Sequence, residues 1–157
     1  MKPHPDPAWN PELAREIVRT HHGVDGALLP ILQAIQATFG CVPAAAIPFL
    51  AEELNLTRAE VHGVVSFYHD FRDAPAGRRV VQLCRAEACQ AMGGEALAAD
   101  LLARRGLDWG GTTPDGALTV DPVYCLGLCA VAPAALVDGE PAGRLDRARL
   151  AALVEAP

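Results

Sequence analysis

The chain has 157 residues, 51% apolar and 20% charged, with a net charge of −6; this fits one domain, or a small domain with a helical appendage, and excludes a disordered tail protein. The acidic excess is evenly spread, with 6 basic and 9 acidic residues up to Arg78 and 7 and 10 beyond it, so neither half offers a basic surface for nucleic acid or anionic lipid. Aromatic residues at 5% argue against a base-stacking platform, and no apolar run is long enough to span a bilayer.

The N-terminal stretch MKPHPDPAWNPE is rich in proline and has no apolar h-region, so no signal peptide is expected and the default compartment is the cytoplasm. Residues 1–9 read as a loosely held lead. Asn10 is a good N-cap, Pro11 suits the first helical position, and Glu12 favours the helix dipole. A helix is predicted to run to about His22 and stop at Gly23. In GALLPILQAIQATFG the residues Leu28, Ile31, Leu32, Ile35 and Phe39 form one stripe at helical spacing, with Pro30 tolerated only near the first turn and Gly40 closing it. A third helix spans about Ala46 to Leu54, with Asn55 able to take a left-handed terminal conformation. Thr57 and Glu60 form a capping box that opens a fourth helix bearing Val61, Val64, Val65 and Tyr68 on one face. Residues 11–71 therefore read as a four-helix unit.

The pattern changes at the turn-rich APAGRR, residues 74–79. Arg79–Leu83 is predicted as a strand. Met92 to about Arg105 reads as a helix ended by Gly106, its positive N-terminus just after Cys89. Leu118–Tyr124 reads as a second strand, broken or at an edge because of Pro122. Ala135–Asp138 is a third, with a further short strand at Gly143–Leu145. Asp146 caps a last helix, RARLAALVEA, with Leu150, Leu153 and Val154 inward. This order of elements is a small α/β sandwich with a mixed sheet. The implied organisation is a helical docking region over residues 1–75 and an α/β domain over 76–157.

Four of the five cysteines form two close pairs, Cys84-x4-Cys89 after the first strand and Cys125-x3-Cys129 after the second. In the cytoplasm clustered thiols are read first as metal ligands or redox catalysts. Neighbouring strands would bring the two loops to one end of a sheet, each supplying two ligands at a small closure entropy. Structural zinc uses C-x2-4-C pairs, so the wider first pair fits without favouring zinc. A [2Fe–2S] centre takes four thiolates, and C-x4-C occurs among ferredoxins. Gly93, Gly94 and Gly127 are small enough to let backbone N–H groups approach the sulfurs, which tunes an iron–sulfur centre. Spacing alone leaves [2Fe–2S], zinc and plain buried thiols open, while a redox dithiol lacks the usual C-x-x-C. Cys41, far from both pairs, reads as a small buried apolar residue.

His4, His21, His22, His62 and His69 all lie away from the cysteine loops, so a Rieske-type mixture of two His and two Cys is not expected. Glu52-Glu53 and Arg104-Arg105 read as solvated charge doublets. No catalytic Ser–His–Asp set, P-loop or G-x-G-x-x-G fingerprint is present, and the Gly-rich loop 109–116 is wrongly placed for a dinucleotide.

The segments CRAEACQAMGG and CLGLCAVAP, with FGCVP and EVHGVVSFYHDF upstream, resemble the thioredoxin-like [2Fe–2S] subunit family. Its members occur in respiratory NADH dehydrogenase (complex I), NAD-linked hydrogenases and NAD-dependent formate dehydrogenases. The resemblance covers about residues 20–157. It implies an α+β chain, an N-terminal helical bundle followed by a thioredoxin-like α/β domain. It also implies one [2Fe–2S] cluster as cofactor, held by Cys84, Cys89, Cys125 and Cys129. SFYHDFR and CRAEACQAMG look more like the gamma subunit of NAD-dependent, molybdenum-containing formate dehydrogenase than like complex I. That resemblance implies a non-catalytic electron-transfer subunit, with no substrate site of its own. The implied partners are a flavin (FMN) and NAD-binding iron–sulfur subunit and a molybdenum-containing catalytic subunit. The equivalent subunit of complex I or of an NAD-linked hydrogenase is the alternative, and a zinc-stabilised interaction module is the alternative from another class.

Overall fold

The computed structural model describes residues 9–155. The N-terminal lead expected over residues 1–9 falls almost wholly outside them, as do His4 and the last residue expected of the final helix. The chain divides between Pro75 and Ala76 into two compact units.

The first unit is helical. Helix α1 is Pro11–Thr20, where the Asn10 side chain accepts from the N–H groups of Glu12 and Leu13 at 3.0 and 3.2 Å. It stops before the expected His22, because the N–H groups of His21 and His22 turn back to the carbonyls of Val18 and Arg19 in tighter, three-residue bonds. Helix α2, Leu28–Phe39, ends on Gly40 at φ 78. Helix α3 is Ala46–Glu53, and Asn55 beyond it has φ 53. Helix α4, Arg58–Phe67, opens on the Thr57–Glu60 capping box with both reciprocal bonds made. Ile31, Leu32 and Ile35 of α2, Leu50 of α3 and Val61 of α4 are wholly buried in one cluster. The predicted stripes therefore face a common core, except that Tyr68, expected on the α4 face, lies one residue beyond the helix and is exposed.

The second unit contains five strands: β1 (Arg79–Cys84), β2 (Gly111–Thr112), β3 (Leu118–Val123), β4 (Ala135–Val137) and β5 (Glu140–Ala142). They form one mixed sheet in the order β2-β3-β1-β4-β5. β1 and β3 run parallel in register from Arg79 beside Leu118 to Cys84 beside Val123, while the other pairings are antiparallel. Three helices accompany the sheet: α5 (Glu87–Ala91), α6 (Gly94–Arg105) and α7 (Arg147–Glu155). Val81 and Leu83 of β1, Val120 of β3, Leu101 of α6 and Leu150 of α7 share a buried core, with Leu153 and Val154 packed on it.

Four expectations are corrected. The single helix from Met92 is two helices, because Gly93 at φ 86 breaks the run; Cys89 lies inside the short α5, so no helix begins just after it. β3 is unbroken despite Pro122. The short β2 pairs only with Thr119 and Val120, so at Pro122 the strand has no neighbour on that side and loses no ladder bond. β5 lies at 140–142, three residues before its predicted place. Asp138 and Gly139, at φ 52 and 86, make a two-residue reversal that sends the chain straight back along β4. β2 itself was not expected, since two residues carry no periodicity.

Candidate metal centre

Because β1 and β3 are adjacent and parallel, the chain leaves both at the same end. Cys84 is the last residue of β1, and Cys125 follows β3 by two residues. Cys89 lies in α5, and Cys129 opens a single 3₁₀ turn, Cys129–Val131. The backbone closes these segments on one another. The Cys84 N–H donates to Ala134 O at 3.0 Å, and the Arg85 N–H to Val123 O at 2.8 Å. Within the first loop, Gln90 Nε2 donates to Arg85 O at 2.7 Å. The Arg85 guanidinium lies 4.9 Å over the Trp109 ring and pairs with Glu95 at 3.2 Å. The stretch between Cys84 and Cys89 is thereby tied to three other elements.

The four thiols fall in two pairs, Cys84 facing Cys89 and Cys125 facing Cys129. The first pair is buried and the second exposed. Ala134, Val123, Leu126, Leu128 and Ala132 pack around the buried pair. Burial pushes the Cys84 thiol up, but the N–H of Ala86, the thiol of Cys89 and the N–H groups of Cys125 and Leu126 together outweigh it and hold it below its ordinary value. Burial, followed by the hydrogen bond to Cys84, pushes the Cys89 thiol up against the N–H of Ala134. The hydrogen bond to Cys125, then its charge, pushes the Cys129 thiol up. The Gly127 N–H points at Cys125 Sγ from 3.4 Å, as the small residue in CLGLC suggested.

Sequence reasoning gave no sign of the backbone at Cys125, which sits at φ 83, in the region that favours glycine. A cysteine there is strained, and such strain concentrates where a side chain must be aimed. Cys41 is wholly buried in the helical unit. His21, His22, His62 and His69 also belong to that unit, and His21 Nδ1 lies 2.8 Å from Ile17 O.

Among the described residues no three His, Cys, Asp or Glu side chains surround a single ion position. The thiols instead form one buried and one exposed pair, with backbone N–H groups facing Cys84 and Cys89 and the Gly127 N–H 3.4 Å from Cys125 Sγ. Four soft thiolate donors in two pairs, with amides offsetting their charge, fit a two-iron cluster.

Residues 14–157 match the family described as thioredoxin-like [2Fe–2S] ferredoxin. The chain is 40% identical over 129 residues to a component of NADH-quinone oxidoreductase from Rhizobium meliloti (strain 1021), covering 82% of this chain and 77% of that one. It is 33% identical over 128 residues to NADP-reducing hydrogenase subunit HndA of Solidesulfovibrio fructosivorans, covering 80% and 75%. The crystal structure of an NAD⁺-reducing [NiFe]-hydrogenase in the H2-reduced state superposes with a TM-score of 0.69 at 33% identity, over 82% of this chain and 22% of that one. The chain thus spans less than a quarter of the hydrogenase polypeptide it resembles. It belongs to the thioredoxin-like [2Fe–2S] ferredoxin family, whose cofactor is one [2Fe–2S] cluster.

Proposed function

We propose that this member of the family is an electron-transfer subunit of a multi-subunit, NAD-linked oxidoreductase, and that Cys84, Cys89, Cys125 and Cys129 hold its cluster. The observation that carries this is the gathering of four sulfurs, in two pairs, at the ends of β1 and β3. When bound, the cluster accepts and releases one electron at a time. The chain's own residues make that charge tolerable. The N–H groups of Ala86, Cys125 and Leu126 face Cys84, and that of Ala134 faces Cys89, so amide dipoles offset negative charge where water is excluded. Cys125 and Cys129 reach the surface. Met92, three residues after Cys89, and Tyr124, beside Cys125, are 63% and 72% exposed, leaving apolar side chains for a partner to cover. A flavin and NAD-binding iron–sulfur subunit is the partner this reading requires.

The finer reading is the gamma subunit of a cytoplasmic formate dehydrogenase with a molybdenum-containing catalytic subunit. It rests on CRAEACQAMGG and SFYHDFR. The equivalent subunit of complex I or of an NAD-linked hydrogenase is favoured instead by the names of the relatives at 40% and 33% identity. Among the described residues no helix is long and apolar enough to cross a membrane. Purified without oxygen, the protein is expected to be red-brown, with about two irons and two labile sulfides per chain, and to give a spin-one-half EPR signal on reduction with dithionite. A colourless protein holding one tightly bound zinc after growth in iron-replete medium overturns the proposal.

A further inference from the structure

Two glycines are in closer contact with the cysteine-bearing segments than any other residue type would allow. Gly94, the first residue of α6, is buried. A Cβ there would lie 2.7 Å from the carbonyl oxygen of Cys89, 3.1 Å from its carbonyl carbon and 3.5 Å from its Cβ. Gly143, just beyond β5, faces the far end of the 3₁₀ turn that Cys129 opens. A Cβ there would meet Val131 Cγ2 at 2.5 Å, Val131 O at 2.8 Å and Val131 Cβ at 2.9 Å. Carbon atoms pack at about 3.5–4.0 Å, so an added methyl group must move backbone in each case. Neither glycine is at a positive φ, so alanine is conformationally allowed at both and the cost comes from contact alone. Hydrogen bonds strengthen the second approach, because the Arg144 N–H donates to Val131 O and the Leu145 N–H to Pro133 O.

The two contacts act on different loops. The α5–α6 junction presses on Cys89, of the buried pair, and the segment between β5 and α7 presses on the turn that carries Cys129, of the exposed pair. We infer that Gly94 and Gly143 are positioning residues: they let α6 and the β5–α7 connection close on the two cysteine loops and thereby fix where Cys89 and Cys129 present their sulfurs. This rests on the proposed cluster ligands.

Gly77 supplies an internal control. A Cβ there would meet Leu118 backbone atoms at 2.8, 2.9 and 3.1 Å, a clash of the same kind. It precedes β1, at the opposite end of the strand from Cys84. The experiment compares Gly94→Ala, Gly143→Ala and Gly77→Ala in the full chain, loaded with iron and sulfide without oxygen. Far-UV circular dichroism and thermal unfolding establish the fold. EPR g-values and the rate of iron release to a chelator read the site. Gly94→Ala and Gly143→Ala are each expected to shift the g-values and to accelerate iron release at least about tenfold, the scale of effects from groups supporting metal ligands. Gly77→Ala is expected to unfold at lower temperature with g-values and release rate unchanged. If Gly143→Ala does not fold, the double variant Gly143→Ala/Val131→Ala, which removes the nearest contact, carries the comparison. Wild-type g-values and release rates in the two site variants, or the same changes in Gly77→Ala, overturn the inference. A wild-type chain that takes up no iron overturns the ligand assignment itself, and the inference with it.

Discussion

Cys84 and Val123 are paired at the last position of the parallel β1–β3 ladder. The convergence of the two cysteine loops follows from that pairing. Both strands end level, so the segments that follow them begin side by side, and Cys125 needs only two more residues to bring its backbone N–H to the Cys84 sulfur. A parallel pair needs a crossover, which the helices between β1 and β3 supply.

The two-and-two division of the sulfurs predicts the outcome of alanine substitution. Cys84→Ala, Cys89→Ala, Cys125→Ala and Cys129→Ala are each expected to lose most of the iron, since each removes half of one pair. Cys41→Ala is expected to keep the full iron content and visible spectrum, with a stability loss of about 1 kcal/mol from a small buried cavity. Iron analysis and the visible spectrum of the five variants check this. A colourless Cys41→Ala beside a fully loaded variant of one paired cysteine sinks the ligand set.

The φ of 83 at Cys125 separates the needs of the fold from those of the site. In the iron-free protein Cys125→Gly is expected to be more stable than Cys125→Ala by about 1 kcal/mol, because only glycine occupies that region without steric cost. Urea unfolding of the two iron-free variants measures it. Equal midpoints at equal slopes would show that the left-handed backbone at this position is not held in solution.

Thr119 is the only polar side chain fully buried among the described residues. Its hydroxyl oxygen lies 2.7 Å from the Gly77 N–H, which donates to it, and 2.7 Å from the Thr112 hydroxyl. Thr119→Val keeps the shape and leaves the Gly77 N–H without that acceptor. The expected loss is about 1–3 kcal/mol, read as a lower urea midpoint with an unchanged slope. No loss would mean that the amide finds another partner.

The capping box at α4 has a pH signature. The backbone N–H of Thr57, then its hydroxyl, hold the Glu60 carboxyl below its ordinary value of 4.5. A depressed carboxylate stabilises the fold above the pKa it has when unfolded, and that contribution is lost as pH falls through the folded value. Thr57→Ala removes the hydroxyl contact and weakens the box, so the Glu60 titration is expected to move up toward 4.5. Carbon NMR of the side-chain carboxyl follows it directly. An unmoved titration would show that the Thr57 hydroxyl does not contribute.

Much of this was legible because local signals agreed. Asn10, Gly40 and the Thr57–Glu60 pair marked helix ends by capping chemistry, and those ends fall within a residue or two of their predicted places. The meeting of the two cysteine loops at one end of the sheet followed from two apolar runs, each leading into a cysteine pair. What was not legible depended on partners distant in sequence or on backbone angles that residue type does not signal. Pro122 sits in an intact strand because its neighbour β2 is short. β5 begins directly after the Asp138–Gly139 reversal, three residues earlier than expected. The break at Gly93 was hidden inside a run that reads as one helix. The backbone of Cys125 left no trace in residue type, since nothing about cysteine signals a positive φ.

The division between Pro75 and Ala76 yields the last prediction. The core of the second unit, from Val81 through Leu101 and Val120 to Leu150, is built wholly from residues beyond the division. So is the small cluster around Cys84, Cys89 and Ala134. All four proposed ligands, and the backbone donors that face their sulfurs, lie there too. A fragment of residues 76–157 is therefore expected to fold and to take up iron and sulfide with the EPR spectrum of the full chain. The helical unit holds none of these four cysteines, yet it exposes Phe67, the last residue of α4, at 72% and Tyr68, just beyond it, at 43%, edge to face at 5.2 Å. Large exposed rings on a helix end suit a docking surface. The fragment is accordingly expected to lose the co-purification with the proposed flavin subunit that is expected of the full chain. Substituting Phe67→Ser in the full chain is expected to weaken the same association while leaving iron content untouched. A fragment that still co-purifies as strongly as the full chain would show that the cysteine-bearing unit, with Met92 and Tyr124 exposed, docks without help from the helical unit. A fragment that is soluble but takes up no iron would show that the helical unit is needed to form the site.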